Sequence, residues 1–234
     1  MTDHRIVSEA EWLEARKALL VREKAFMRER DELSRQRRDL PWVAVSKDYR
    51  FETEAGTKSL AALFGNKSQL VIYHFMYGPD WEAGCKSCSL MAESFDHNAV
   101  HLAARDVTFV SASRAPLGKL LAFRKRMGWQ FDWVSSLGSD FNYDYHVSFT
   151  PEEREKGEIV YNYASSSFPL DEAPGLSVFY KDQDGRVYHT YSTYGRGLDP
   201  MLAVYQYLDL VPKGRDEDSL SYGMEWVRLR DEYA

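Results

Sequence analysis

Cysteine is scarce in this chain. Two among 234 residues exclude a disulfide scaffold of the kind small secreted domains use. No apolar run approaches the roughly 18 residues of a membrane span. The opening MTDHRIVSEAEW lacks the apolar stretch of a secretory leader, so a cytoplasmic protein is expected. Basic charge is also short. With 30 Lys and Arg against 36 Asp and Glu, the net charge is −6. That argues against a nucleic-acid partner, which favours a basic face. Internal repeats and low-complexity tracts are missing. Apolar residues are not: 44% apolar and 14% aromatic are ample for a packed core, in one large domain or two small ones.

The two cysteines stand together in a telling place. Leu70 to Met76 is a β-rich apolar run of strand length, broken only by His74. Tyr77-Gly78-Pro79-Asp80 is turn chemistry. Gly84 leads into Cys85-Lys86-Ser87-Cys88, and a helix-like stretch follows. A strand, a turn and C-x-x-C at a helix start mark a thioredoxin-like redox site. Side chains in a first helical turn face unpaired N–H groups and the positive end of the helix dipole. That field favours the thiolate, the reactive form of cysteine.

The rest of the chain falls into order around this stretch. Residues 7–39 read as one helix, with Ser8 as N-cap and Glu11 completing a capping box. Trp12, Leu19, Phe26, Leu33 and Leu40 recur every seven residues, and Pro41 stops the helix. At ~1.5 Å per residue it spans about 50 Å. That length predicts an arm, 1–41, that packs on a partner subunit in a homodimer or braces its own domain. A pair of short strands is expected over 41–53, a turn over 54–57 and a short helix over 59–64. A helix from Cys85 to about Ala104, a strand over 106–112, a helix from Pro116 at N1 to Met127 and a strand over 131–135 follow. Strand–helix–strand–helix–strand is the pattern of a parallel sheet with helices on its faces. Residues 138–170 look irregular apart from a short helix from Thr150 to Gly157, and read as an insertion. A hairpin joins 174–180 to 186–192. A last helix spans 198–210, ahead of Pro212. Of the tail 213–234, Lys213 to Ser221 is polar and expected to be exposed, whereas Tyr222 to Tyr233 is apolar enough to dock.

This order resembles an α/β thioredoxin-like fold of the peroxiredoxin-like branch. That is a central mixed sheet flanked by helices, here with a long N-terminal helix and an N-terminal hairpin, the fold proper covering 42–212. More closely, the chain resembles an uncharacterised bacterial family of predicted dithiol–disulfide oxidoreductases. The segments that carry the likeness are LPWVAVSKDYRFET, YHFMYGPDWEAGCKSCS, SRAPLGKLLAFRKRMGW, SSLGSDFNYDY, PGLSVFY and TYSTYGRGLD. PGLSVFY looks like the thioredoxin segment that opens on a cis-proline. The resemblance therefore implies a cis Ala173–Pro174 bond and a place for Pro174 in the substrate groove. Some features depart from the pattern. Gly84, not Trp, precedes Cys85, and Trp81 lies four residues upstream. His74 is the only ionisable group in the preceding strand, where thioredoxins carry an acid. Glu82 stands three residues before Cys85, where peroxiredoxins carry Thr.

The expected chemistry is thiol–disulfide exchange, with Cys85 as nucleophile and Cys88 as its buried partner. Lys86 adds a positive charge that favours the thiolate. Its partners would be a protein or small-molecule disulfide and a separate reductant, with no cofactor and no membrane. A non-catalytic binding or scaffold module and a thiol peroxidase are the alternatives. His74 reads as a hydrogen-bonded structural histidine or as a proton acceptor for Cys88. Arg114 is placed by the strand before it at a ligand-bearing sheet edge, or is simply solvated. Cys85, Cys88, His97 and His101 give C-x2-C-x8-H-x3-H, close to a zinc rhythm. In one continuous helix, however, the ends would lie ~24 Å apart, so no metal is expected.

Overall fold

The structure, a computed structural model, describes residues 4–233. The chain divides into two compact units, Met1–Pro41 and Trp42–Ala234. The first is built on helix α1 (Glu9–Arg38). Ser8 Oγ accepts the Glu11 N–H at 3.3 Å, and Glu11 Oε2 accepts the Ser8 N–H at 3.0 Å. This is the capping box expected from the sequence. Glu9 and Glu11 in the first turn and Arg35, Arg37 and Arg38 in the last complement the helix dipole. No residue of α1 is buried.

In the second unit the strands are β1 (Val43–Ala44), β2 (Arg50–Thr53), β3 (Gly56–Ser59), β4 (Gln69–His74), β5 (Val107–Ser113), β6 (Asp132–Ser135), β7 (Ile159–Tyr161), β8 (Ala164–Ser166), β9 (Gly175–Lys181) and β10 (Val187–Tyr194). Among the described residues, eight of them form one sheet in the order β1-β10-β9-β4-β5-β6-β2-β3. β4, β5 and β6 are parallel, while β9 runs antiparallel to β4 and to β10. This parallel set joined by helices, with an antiparallel hairpin beyond β4, is a thioredoxin-like fold. The two strands expected over 41–53 do not pair with each other. β1 joins β10 at one edge, and β2 forms its hairpin with β3 at the other. Gly56, at φ +94°, closes that hairpin in a conformation that favours glycine, and the short helix α2 (Leu60–Leu63) follows β3.

Both faces of the sheet are covered, as the near-continuous apolar run of β4 requires. Strand alternation sends Leu70 and Ile72 into one core with Phe51, Phe64, Phe141 and Phe179. It sends Tyr73 into the other, with Phe75, Met91, Phe95, Phe123 and Trp133. The second core is covered by α3 (Lys86–Phe95) and α5 (Leu117–Met127).

Several boundaries differ from expectation for local reasons. The helix after Cys85 stops at Phe95 and resumes as α4 (Ala99–Ala103) after a 3-10 turn. Asp96 turns inward there, and its carboxylate accepts the N–H groups of Gln130 and Phe131 at 2.6 and 3.0 Å. Pro116 is the N-cap of α5, not its first helical residue. The 138–170 segment is ordered: α6 (Phe141–Asp144), α7 (Pro151–Lys156) and the β7–β8 hairpin. Asn162 and Tyr163 turn that hairpin at φ 51° and 64°, without the Asn-Gly signature of such turns. Pro200 lies in a 3-10 stretch from Gly195 to Met201, so the last helix, α8 (Ala203–Leu208), begins later than expected. Proline has no N–H to continue a helical ladder.

Candidate redox site

The site begins where β4 ends. Phe75 N–H still bonds Ala112 O at 3.0 Å, and the chain then loops out and returns with Cys85 N–H on Met76 O at 3.0 Å. Two glycines permit the loop. A Cβ on Gly78 would stand 2.8 Å from the Trp81 ring, and one on Gly84 would stand 2.8 Å from the ring of Phe75. Gly84 thus precedes Cys85 because the turn presses directly on the aromatic core. Lys119 Nζ ties the turn down, donating to Pro79 O at 2.8 Å and Trp81 O at 3.1 Å.

Cys85 is the N-cap of α3. It is partly exposed, whereas Cys88 is buried, and both are free thiols. The two cysteines lie 3.8 Å apart, so a small rotation brings the sulfurs to the ~2.05 Å of a disulfide. Their acidities are pushed in opposite directions. The Cys88 thiol, hydrogen-bonded to Cys85, lowers the Cys85 pKa to about 7. The N–H groups of Cys88 and Ser87 and the Ser87 hydroxyl assist, against the cost of burial. Burial first, and then the adjacent Cys85, push the Cys88 thiol well above its usual range. The Tyr73 phenol and the Met76 N–H, 3.5 Å from Cys88 Sγ, hydrogen-bond its sulfur and partly oppose that shift.

Tyr73 is a site residue that the sequence reading missed. The strand's alternation offered the signal, since Tyr73 and Phe75 share the face under α3. By the same alternation His74 points the other way. Its Nε2 lies 2.8 Å from Ser177 Oγ, and its ring stacks on Phe141 at 5.5 Å. Burial pushes its pKa down to about 3. His74 is therefore a neutral, structural histidine on the face opposite the cysteines.

The other expected residues frame the site. Lys86 Nζ donates to Glu225 O at 2.8 Å, joining the C-x-x-C segment to the chain's last segment. Trp81 Nε1 donates to Asp171 at 3.2 Å. Arg114 lies just past β5, pairs with buried Glu172 at 2.8 Å and stacks over Tyr143 at 4.7 Å. Burial raises the Glu172 pKa to about 7, with Ser148 and Arg114 opposing. The Ala173–Pro174 bond is trans, as are all described peptide bonds, which corrects the cis expectation. Trans is the favoured isomer by roughly 0.5–1 kcal/mol. The flanking groups are satisfied in it: Ala173 N–H on Val147 O at 2.9 Å, and Tyr161 Oη on Pro174 O at 2.7 Å. His97 is 83% exposed at its side chain, and His101 is exposed on α4. Among the described residues no group of three or more His, Cys, Asp or Glu is placed to hold a metal.

A cavity of about 810 Å3 opens beside Cys88. Tyr73, Met76 and Met91 line it near the sulfur, and Pro174 also borders it. Its far wall includes Arg215, Glu217 and Met224. Lys213 to Ser221 is exposed or half-buried throughout, as its polar sequence suggests, and within it Arg215 and Glu217 line the cavity. Glu217 anchors the wall by accepting from Tyr205 Oη, Met224 N–H and Trp226 Nε1 at 2.8, 2.9 and 2.6 Å. Val227 and Leu229 are buried, so the following segment is docked. Among the described residues, no helix is long and apolar enough to cross a membrane.

Several solved structures share part of this chain path. Peroxidoxin BcpB from Mycobacterium tuberculosis is 14% identical over 72% of this chain and 96% of its own, with a TM-score of 0.46. The bacterioferritin comigratory protein of Xanthomonas campestris is 15% identical over 69% and 95%, at 0.42. The mitochondrial 2-Cys peroxiredoxin of Plasmodium falciparum is 14% identical over 72% and 93%, also at 0.42. No curated protein matches the chain. A protein-family profile does match, over residues 1–233, and the chain belongs to that family, the bacterial proteins of unknown function designated DUF899.

Proposed function

We propose that this protein is a thiol–disulfide oxidoreductase that cycles Cys85 and Cys88 between dithiol and disulfide. One observation carries the reading. A partly exposed thiol at a helix N-terminus, with its pKa near 7, lies 3.8 Å from a buried thiol held protonated. Near neutral pH about half of Cys85 is thiolate, close to the optimum for an attacking thiol.

In the forward step the Cys85 thiolate attacks one sulfur of a substrate disulfide, R–S–S–R. The substrate S–S bond breaks, RS− leaves, and a Cys85–S–S–R mixed disulfide forms. The departing thiolate takes the Cys88 proton. Cys88 then attacks Cys85 Sγ and releases the second RS−, which takes from water a proton equivalent to the one Cys85 lost on ionising. Two electrons pass to the substrate, which ends as two thiols, and the protein ends as the Cys85–Cys88 disulfide. A dithiol reductant reverses the sequence on the protein and restores the pair. Tyr73 stabilises the Cys88 thiolate as it forms.

The test is a redox titration with a trapping variant. Cys85 and Cys88 should interconvert with a measurable potential against a glutathione buffer, and Cys88→Ser should accumulate Cys85 mixed disulfides. A pair that stays reduced across the whole buffer range would leave the scaffold reading in its place.

A further inference from the structure

Helix α1 exposes apolar side chains in pairs. Trp12-Leu13, Leu19-Leu20 and Phe26-Met27 recur every seven residues. All six are exposed, Trp12 by 57% and Phe26 by 67%. Seven residues are close to two helical turns, so the pairs form two rows along the helix. A third row, Glu9, Arg16, Glu23 and Arg30, runs between them. It does so because residue i+4 lies about 40° round a helix from residue i, and residue i+1 about 100°. An exposed apolar face of this length marks an interaction surface.

The charged row says what covers that face. Its signs alternate: minus at Glu9, plus at Arg16, minus at Glu23, plus at Arg30. Such a row attracts a copy of itself laid in reverse and repels one laid in the same direction. A second α1, antiparallel and centred between Leu19 and Leu20, sets Arg16 opposite Glu23 and Glu9 opposite Arg30, each twice. The same register brings Trp12 to Phe26, Leu13 to Met27, and Leu19 and Leu20 each to its own counterpart. Every contact is then reciprocal, as a twofold interface requires. A parallel pair in register would instead set Arg16 on Arg16 and Glu23 on Glu23.

Arg16 also has a donor to spare. Its Nη2 donates to Glu23 of the same helix at 2.7 Å, while its Nη1 is buried without a partner. A guanidinium carries donors enough for two carboxylates, and the antiparallel copy supplies the second. Exposed ion pairs contribute little alone. The apolar rows therefore supply the association, and the charges fix its direction.

We infer that this protein forms a twofold dimer through antiparallel pairing of its α1 helices, centred between Leu19 and Leu20. The pairing is independent of the chemistry at Cys85.

Sedimentation equilibrium of the full-length protein should show a dimer at tens of micromolar. Arg16→Glu and Glu23→Arg each place two like-charge contacts in that dimer. Each should raise its dissociation constant at least about tenfold. An equimolar mixture of the two variants should recover the dimer, because opposite charges then meet at both contacts. Direction is read by cross-linking in a Cys85→Ser/Cys88→Ser background. Arg16→Cys mixed with Glu23→Cys should oxidise to a linked dimer faster than either variant alone. A monomeric wild type overturns the inference. So does a dimer that neither charge change weakens, which would use another surface. Cross-linking of either cysteine variant alone that matches or exceeds the mixture overturns the antiparallel arrangement. The wild-type measurement stands even if a variant fails to fold.

Discussion

Tyr73 and His74 are neighbours in one strand, both buried and both polar, yet they serve opposite faces of the sheet. Tyr73 meets Cys88 beside a cavity. His74 Nε2 begins a chain of hydrogen bonds, Ser177 at 2.8 Å, Ser192 at a further 2.8 Å, then His189 at 2.7 Å, while its Nδ1 is buried without a partner. The reactive face keeps its polar groups adjustable, with two thiols pushed in opposite directions. The other face ties its histidine to two serines through one ring nitrogen, and burial holds the ring neutral. A buried ionisable residue is thus a poor sign of chemistry unless it shares a face, and a space, with a nucleophile.

The two faces differ most at the thiols. Cys85→Ser should abolish disulfide exchange while leaving the melting temperature close to wild type, because Cys85 is only partly buried. Exchange that persists in this variant, measured with the full-length protein, would show that Cys85 is not the nucleophile.

On the opposite face the expected effect is stability without chemistry. His74→Ala leaves a hole and takes from the Ser177 hydroxyl one of its two partners, which should cost about 1–3 kcal/mol. The pH midpoint of Cys85 alkylation should remain near 7. A shifted midpoint in this variant would mean that the faces communicate.

Glu172 sharpens the picture with a pH dependence. Burial raises its pKa from 4.5 to about 7, so in that window the folded chain holds a proton that the unfolded chain has lost. Its contribution is fully present below about pH 4.5 and fades as pH rises through about 7, so stability should fall across the window. Glu172→Gln should flatten the fall, and thermal melts at several pH values read it directly.

Tyr73→Phe has the smallest expected effect and the most specific one. It removes one hydrogen bond to the Cys88 sulfur, worth about 1 kcal/mol, and so raises the Cys88 pKa further. Resolution of the mixed disulfide should slow about fivefold, with the initial Cys85 attack unchanged in rapid-quench traces. Equal slowing of both steps would make Tyr73 a packing residue.

Much of the fold was legible before the structure. Periodicity and caps marked α1 with its Ser8–Glu11 box, the β4 strand, the C-x-x-C helix start, α5 and the β9–β10 hairpin. These rest on interactions between residues close in sequence. The β7–β8 hairpin was not legible, because its turn uses Asn162 and Tyr163 where Asn-Gly is the usual sign. Asp96 gave no warning either, since its partners Gln130 and Phe131 lie far along the chain.

The candidate site divides along the same line. By itself the sequence determined the pair Cys85 and Cys88 and its place at a helix start, because the spacing and the turn before it are local. Tertiary structure decided the rest. It set Tyr73 against Cys88 and His74 away from it, left Pro174 trans, turned Lys86 to the backbone of Glu225, and brought 215–224 round to wall the cavity. The reason is physical: these contacts join segments up to 139 residues apart, and their geometry follows from how the sheet, α3 and the docked C-terminal segment pack, which no local pattern encodes.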